Sequence, residues 1–78
     1  SMAGVDIRKG DIAVIDCART AKHGDVILAD VDGLLTIRIW EEGLLVSINT
    51  ARVEHHISEY ANVRMIGVVL TIFRRLFK

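Results

Sequence analysis

Seventy-eight residues set the limit of one small domain, and a chain of this length buries only about 60% of its unfolded surface. Ten Lys and Arg against ten Asp and Glu leave a formal charge of zero, which argues against a domain built to grip a phosphate backbone, since that needs clustered cations. With 51% hydrophobic residues, the chain carries more apolar surface than one small core readily hides. A dense core is one outlet; a self-complementary interface is the other, and the favoured one.

The first sixteen residues end in a strand signal, Asp11–Asp16, launched by Gly10. Cys17 is the only cysteine, so no internal disulfide can form. It is read as a small apolar or loop residue in a chain compatible with a reducing cytoplasm, and no secretory signal stands at the start. Gly24-Asp25 launches a second strand, Asp25–Val31. Asp32-Gly33 then predicts a type I′ hairpin, in which both central residues need positive φ. The next strand, Leu34–Trp40, alternates. Leu35, Ile37 and Ile39 are expected on the core face, and Thr36, Arg38 and Trp40 on the other.

Glu41-Glu42-Gly43 predicts a second, slightly longer hairpin turn before a strand over Leu44–Ile48. His55 and His56 are adjacent and would point to opposite faces of a strand. His23 lies in a separate turn, and nothing completes a ligand set, so neither a metal nor another cofactor is expected. The histidines are read as turn or surface residues.

The last strand, Val63–Phe73, is apolar on both sides. Ile66, Val68, Leu70 and Ile72 share one face; Met65, Val69 and Phe73 share the other. Such a strand is sandwiched within a domain or shared with a partner. The expectation is a homodimer interface on these seven residues. The apolar run Met65–Phe73 is about half of the roughly 20 residues a membrane span requires. Arg74-Arg75-Leu76-Phe77-Lys78 reads as a strand end rather than a membrane-surface tail, and no membrane partner is expected. No window holds a 3.6-residue period. The prediction is a single all-β, hairpin-rich domain over residues 1–78.

Five segments, in order and nearly in register, resemble the UmuD/LexA family of self-cleaving SOS-response proteins, and UmuD most. Ser1-Met2-Ala3-Gly4 through Gly10-Asp11 to Asp16 resembles the family's serine box. Ala21-Lys22-His23-Gly24-Asp25-Val26-Ile27-Leu28-Ala29 resembles its HGD strand, and Val31-Asp32-Gly33-Leu34-Leu35-Thr36-Ile37-Arg38 its VDG hairpin. Leu45-Val46-Ser47-Ile48-Asn49 matches the segment LIPMN, with Ser47 in place of proline. Arg64-Met65-Ile66-Gly67-Val68-Val69 resembles the closing FGVV strand. A few residues are missing near Glu41–Gly43.

The resemblance implies a twisted, β-clip-like peptidase-type domain, here truncated at its N-terminus. It places the family nucleophile on Ser1, although Ser-Met is also a common remnant of tag removal, with Ser1 a vector residue and Met2 the start. It places the catalytic lysine on Arg38. A serine hydroxyl needs a neighbour to take its proton, and a desolvated lysine can do so. A guanidinium has no acceptor and keeps its proton. Ile37 and Ile39 flank Arg38, so a shift of one residue does not restore a base, and the nearest lysine, Lys22, lies in a loop.

The resemblance further implies a cytoplasmic homodimer that joins a Y-family polymerase after contact with a RecA filament. The expected function is that of a UmuD-like accessory subunit for error-prone translesion synthesis, without self-cleavage in this form. The alternative is the C-terminal dimerisation and autocleavage domain of a LexA-like or phage repressor. A working Ser–Lys autopeptidase is opposed by Arg38. An unrelated all-β interaction module is the remaining reading. Upstream sequence discriminates the first two, because a repressor carries a helix-turn-helix domain there.

Overall fold

The computed structural model describes residues 10–48 and 52–74. Six strands follow in chain order: β1 (Ile12–Asp16), β2 (Val26–Val31), β3 (Leu34–Glu41), β4 (Leu44–Val46), β5 (Glu54–His56) and β6 (Val63–Phe73). One 3-10 turn, Ile57–Glu59, separates the last two. They form one sheet in the order β1-β6-β2-β3-β4-β5, antiparallel at every pairing. The all-β, hairpin-rich expectation holds. No described helix is long and apolar enough to cross a membrane.

The turns explain the meander β2-β3-β4. Asp32 (φ 49°) and Gly33 (φ 89°) both adopt positive φ, as a two-residue I′ hairpin requires. Asp32 is also tied across the sheet to the lead-in of β6. Its N–H donates to the Asn62 carbonyl at 2.8 Å, and its Oδ1 accepts from the Asn62 N–H at 2.7 Å. The second hairpin is shorter than expected. Glu41 pairs directly with Leu44, so only Glu42 (φ 42°) and Gly43 (φ 85°) form the turn.

β4 ends at Val46, two residues short of the expected Ile48, and the strand β5 and the turn after it were not expected. Arg52 braces this end of the sheet. Its guanidinium bonds Glu41 of β3 and, at 2.6 Å, Glu54 of β5. The bond from Arg52 holds the Glu41 carboxyl below the usual glutamate range. The Arg52 guanidinium is in turn held above its ordinary value, chiefly by Glu41 and then by Glu54.

The main core lies on the face opposite to the one expected. Ile27, Ala29, Leu45 and Val68 are its buried centre, with Ala21, Val31, Trp40, Ile57, Tyr60 and Val63 packed around them. Residues directly opposite in antiparallel strands share a face. Ile27 is opposite both Val68 and Arg38, Ala29 is opposite Thr36, and Leu45 is opposite Trp40. The Thr36-Arg38-Trp40 face is therefore the one that covers the core. Of the expected core set, Ile39 is buried beside the fully enclosed Val46, but Leu35 is 61% exposed. The cause is strand length: β4 pairs only with Ile39, Trp40 and Glu41, so the β2–β3 hairpin tip extends beyond it.

β6 sits inside the sheet and is bulged twice. Against β2, the pairing steps from Gly67 to Met65 and skips Ile66. Against β1, it steps from Val69 to Thr71 and skips Leu70. Each extra residue resets the alternation, so Met65 and Val68 come to one face instead of opposite ones. β2 pairs with β6 as far as Val68, and β1 pairs with it from Val68 onward.

Candidate functional site

Ser1, the expected nucleophile position, lies outside the described residues. Arg38 is described. It sits on β3, half-buried, between the half-buried Ile37 and the buried Ile39. Its Nη1 donates to the Ile37 carbonyl at 2.9 Å. Among the described residues, that is its one hydrogen bond, and no carboxylate pairs with it. Lys22 is the single lysine among the described residues and lies exposed in the loop before β2, where its N–H donates to Asp25 Oδ2 at 2.7 Å.

Arg38 opens onto a shallow cavity of about 200 Å³ lined by Val31, Asp32, Leu34, Thr36, Leu45 and Tyr60. The chain builds it from three places. Leu34, Thr36 and Arg38 are alternate residues of β3 and share one face. Leu45 reaches it from β4, whose short span leaves the 34–38 stretch of β3 without a strand on that side. Tyr60 follows the 3-10 turn, where its N–H donates to the Ile57 carbonyl at 3.1 Å. Its ring lies 6.1 Å from that of His55. Arg38 and Thr36 were expected together on one face of β3, and they line the cavity together. Leu45 and Tyr60 were not expected there, because nothing in their local sequence says that a connection after β5 folds back onto β3.

The arrangement offers a permanent cation and hydroxyls from Thr36 and Tyr60 against apolar walls. It can bind and orient an anionic or polar group. Arg38 cannot accept a proton, so it cannot act as the base toward a hydroxyl nucleophile. Of the histidines, His55 on β5 is opposite Leu45 and beside Tyr60 without itself lining the cavity, His56 is the next residue of that strand, and His23 lies in the turn before β2. Among the described residues, no three His, Cys, Asp or Glu side chains group as metal ligands do.

The seven residues expected at a dimer interface occupy different environments. Val68 is 2% exposed and belongs to the chain's own core. Ile66, Val69 and Ile72 are half-buried. Met65, Leu70 and Phe73 are exposed, Leu70 at 47% and Phe73 at 57%. Ile12, opposite Phe73 on β1, is also exposed and extends the same apolar surface.

Comparison with known proteins agrees with the motifs. Protein ImpA of Salmonella typhimurium, of Shigella flexneri and of Escherichia coli are similar to this chain, each 37% identical over 38 residues. That stretch is 49% of this chain and 26% of each relative, so the chain matches about a quarter of the length of these curated relatives. The model of the Peptidase S24-like family matches residues 1–70. The chain belongs to that family, as its UmuD/LexA resemblance implies.

Proposed function

We propose that this chain acts as a UmuD-like SOS-response protein, a cytoplasmic homodimeric accessory subunit for error-prone translesion synthesis that does not cleave itself. The observation that supports the loss of cleavage is Arg38 on β3, a residue with no proton acceptor to offer at the position that the resemblance gives to the family lysine. The family match over residues 1–70 supports the UmuD/LexA-like frame. The HGD and VDG segments favour UmuD within it. The exposed Leu70 and Phe73 supply apolar surface for a second copy. By family resemblance, the partners are a Y-family polymerase and the RecA filament, with no direct contact to nucleic acid.

The test is genetic and uses the full-length gene product. Bacteria lacking UmuD, and supplied with this protein and its cognate Y-family polymerase, should regain mutagenesis after ultraviolet irradiation. The protein should also co-purify with that polymerase. Failure of both, together with sequence-specific operator binding by the full-length protein, would assign it to the repressor branch instead.

A further inference from the structure

We propose that the Arg38 cavity is a peptide-binding site that takes a free C-terminal carboxylate on a residue with an apolar side chain. The inference rests on the cavity itself and not on the polymerase reading. A guanidinium partly withdrawn from water gains from a carboxylate partner. Arg38 has none among the described residues and makes one hydrogen bond, to the Ile37 carbonyl. The remaining N–H donors of its fork are suited to a carboxylate, which they can bind bidentately.

The walls specify what accompanies the carboxylate. Val31, Leu34, Leu45 and Tyr60 present apolar surface, and Thr36, two residues before Arg38 on the same face of β3, adds a hydroxyl-bearing side chain. The volume, about 200 Å³, is below the range of sites for drug-sized ligands or cofactors and accommodates a single large apolar side chain. A chain terminus delivers the carboxylate and an apolar side chain from the same residue. An internal Asp or Glu spends its side chain on the charge and must leave the cavity in two directions.

Charge sets the polarity. Asp32 lines the opposite end of the cavity, beside Leu34, and Leu34 lies four residues or roughly 13 Å of strand from Arg38. A carboxylate is attracted to the Arg38 end and repelled from the Asp32 end. The terminus therefore seats at Arg38, and the peptide leaves past the Asp32 turn.

The probe is an N-terminally dye-labelled tetrapeptide, Gly-Ser-Ala-Leu, with a free carboxylate, titrated with the full chain and read by fluorescence anisotropy. The same peptide as its C-terminal amide should bind about tenfold more weakly or worse, as expected for loss of one charge-assisted contact. An amidated Gly-Glu-Ala-Leu, with its only carboxylate internal, should bind as weakly as the amide. Arg38→Gln should weaken the free acid about tenfold and leave the amide unchanged. Should that variant fail to fold, Leu34→Asp serves instead. Leu34 is 70% exposed, so the change places a negative charge at the wall without opening the core, and it should weaken the free acid selectively. Equal binding of acid and amide, or no binding of the acid, overturns the site. Tight binding of the internal-Glu peptide overturns the assignment to a chain terminus.

Discussion

Gly67 is packed directly against Ile15. A β-carbon added at Gly67 would stand 2.5 Å from Ile15 Cγ2 and 2.8 Å from the Asp16 carbonyl oxygen. The end of β1 thus lies against β6 at the one position of that strand without a side chain. The two bulges of β6 flank this contact. Gly67→Ala would ordinarily stabilise a strand by about 0.5–1 kcal/mol through lost chain entropy. Here the Asp16 backbone cannot simply rotate away, and overpacking costs about 1–3 kcal/mol. The substitution should lower stability in urea denaturation. A gain in stability would mean that β1 gives way at no cost.

How far the fold was legible depends on where each signal lies. Asp32-Gly33 announced its turn because I′ geometry restricts residue type. The strand β5 carried no such mark: Glu54, His55 and His56 show no apolar alternation, and the strand is held by pairing with β4 and by Arg52. The bulges at Ile66 and Leu70 were not read because they lie within one long, mainly apolar run. That same omission misplaced Met65 and Val68 on opposite faces. Arg38 was legible through its motif, whereas Leu45 and Tyr60 join it only through tertiary folding.

The second hairpin turn offers a stabilising change. Glu42 holds φ at 42°, a region that costs an ordinary L-residue about 1–2 kcal/mol and that asparagine tolerates better. Glu42→Asn should raise stability by about 0.5–1 kcal/mol, read as a higher urea midpoint with an unchanged m-value. No gain would show that Glu42 compensates through its own contacts.

The Arg52 brace gives stability a pH dependence of definite sign. The hydrogen bond from Arg52 depresses the Glu41 carboxyl in the folded chain. A depressed carboxyl contributes stability that is present above its unfolded pKa and is lost as pH falls through its folded pKa. Carbon-13 NMR of the Glu41 carboxyl should therefore show a midpoint below the ordinary glutamate range. Arg52→Gln should move it upward, and the deficit of that variant at neutral pH should shrink on acidification. An unmoved midpoint would show that another group depresses Glu41.

The exposed side chains of β6 are the means of testing the dimer. Val68→Glu would place a charge in the chain's own core and should unfold it, so it cannot report on assembly. Leu70→Asp and Phe73→Asp alter exposed positions and should leave the circular dichroism spectrum of the sheet unchanged. Wild-type chain should sediment as a dimer at high micromolar concentration, and either variant should shift it toward monomer. A monomeric wild type, or a dimer indifferent to both changes, removes β6 as the interface.

Arg38→Lys is the decisive substitution for the chemistry. The position is half-buried, opposite the fully enclosed Ile27 and beside the buried Ile39. A lysine there would be partly desolvated, which lowers its pKa and favours the neutral amine. The guanidinium of Arg38 stays charged in the same surroundings. With a segment like the family's cleavage segment placed ahead of Ser1, the parent should show no self-cleavage at alkaline pH, whereas Arg38→Lys should show some. Adding Ser1→Ala to the lysine variant should abolish it, because the hydroxyl is the expected nucleophile. Gel analysis over time reads all three. If parent and lysine variant are both inert, Arg38 is not the only defect. If the parent cleaves as fast as the variant, the base lies elsewhere than on β3.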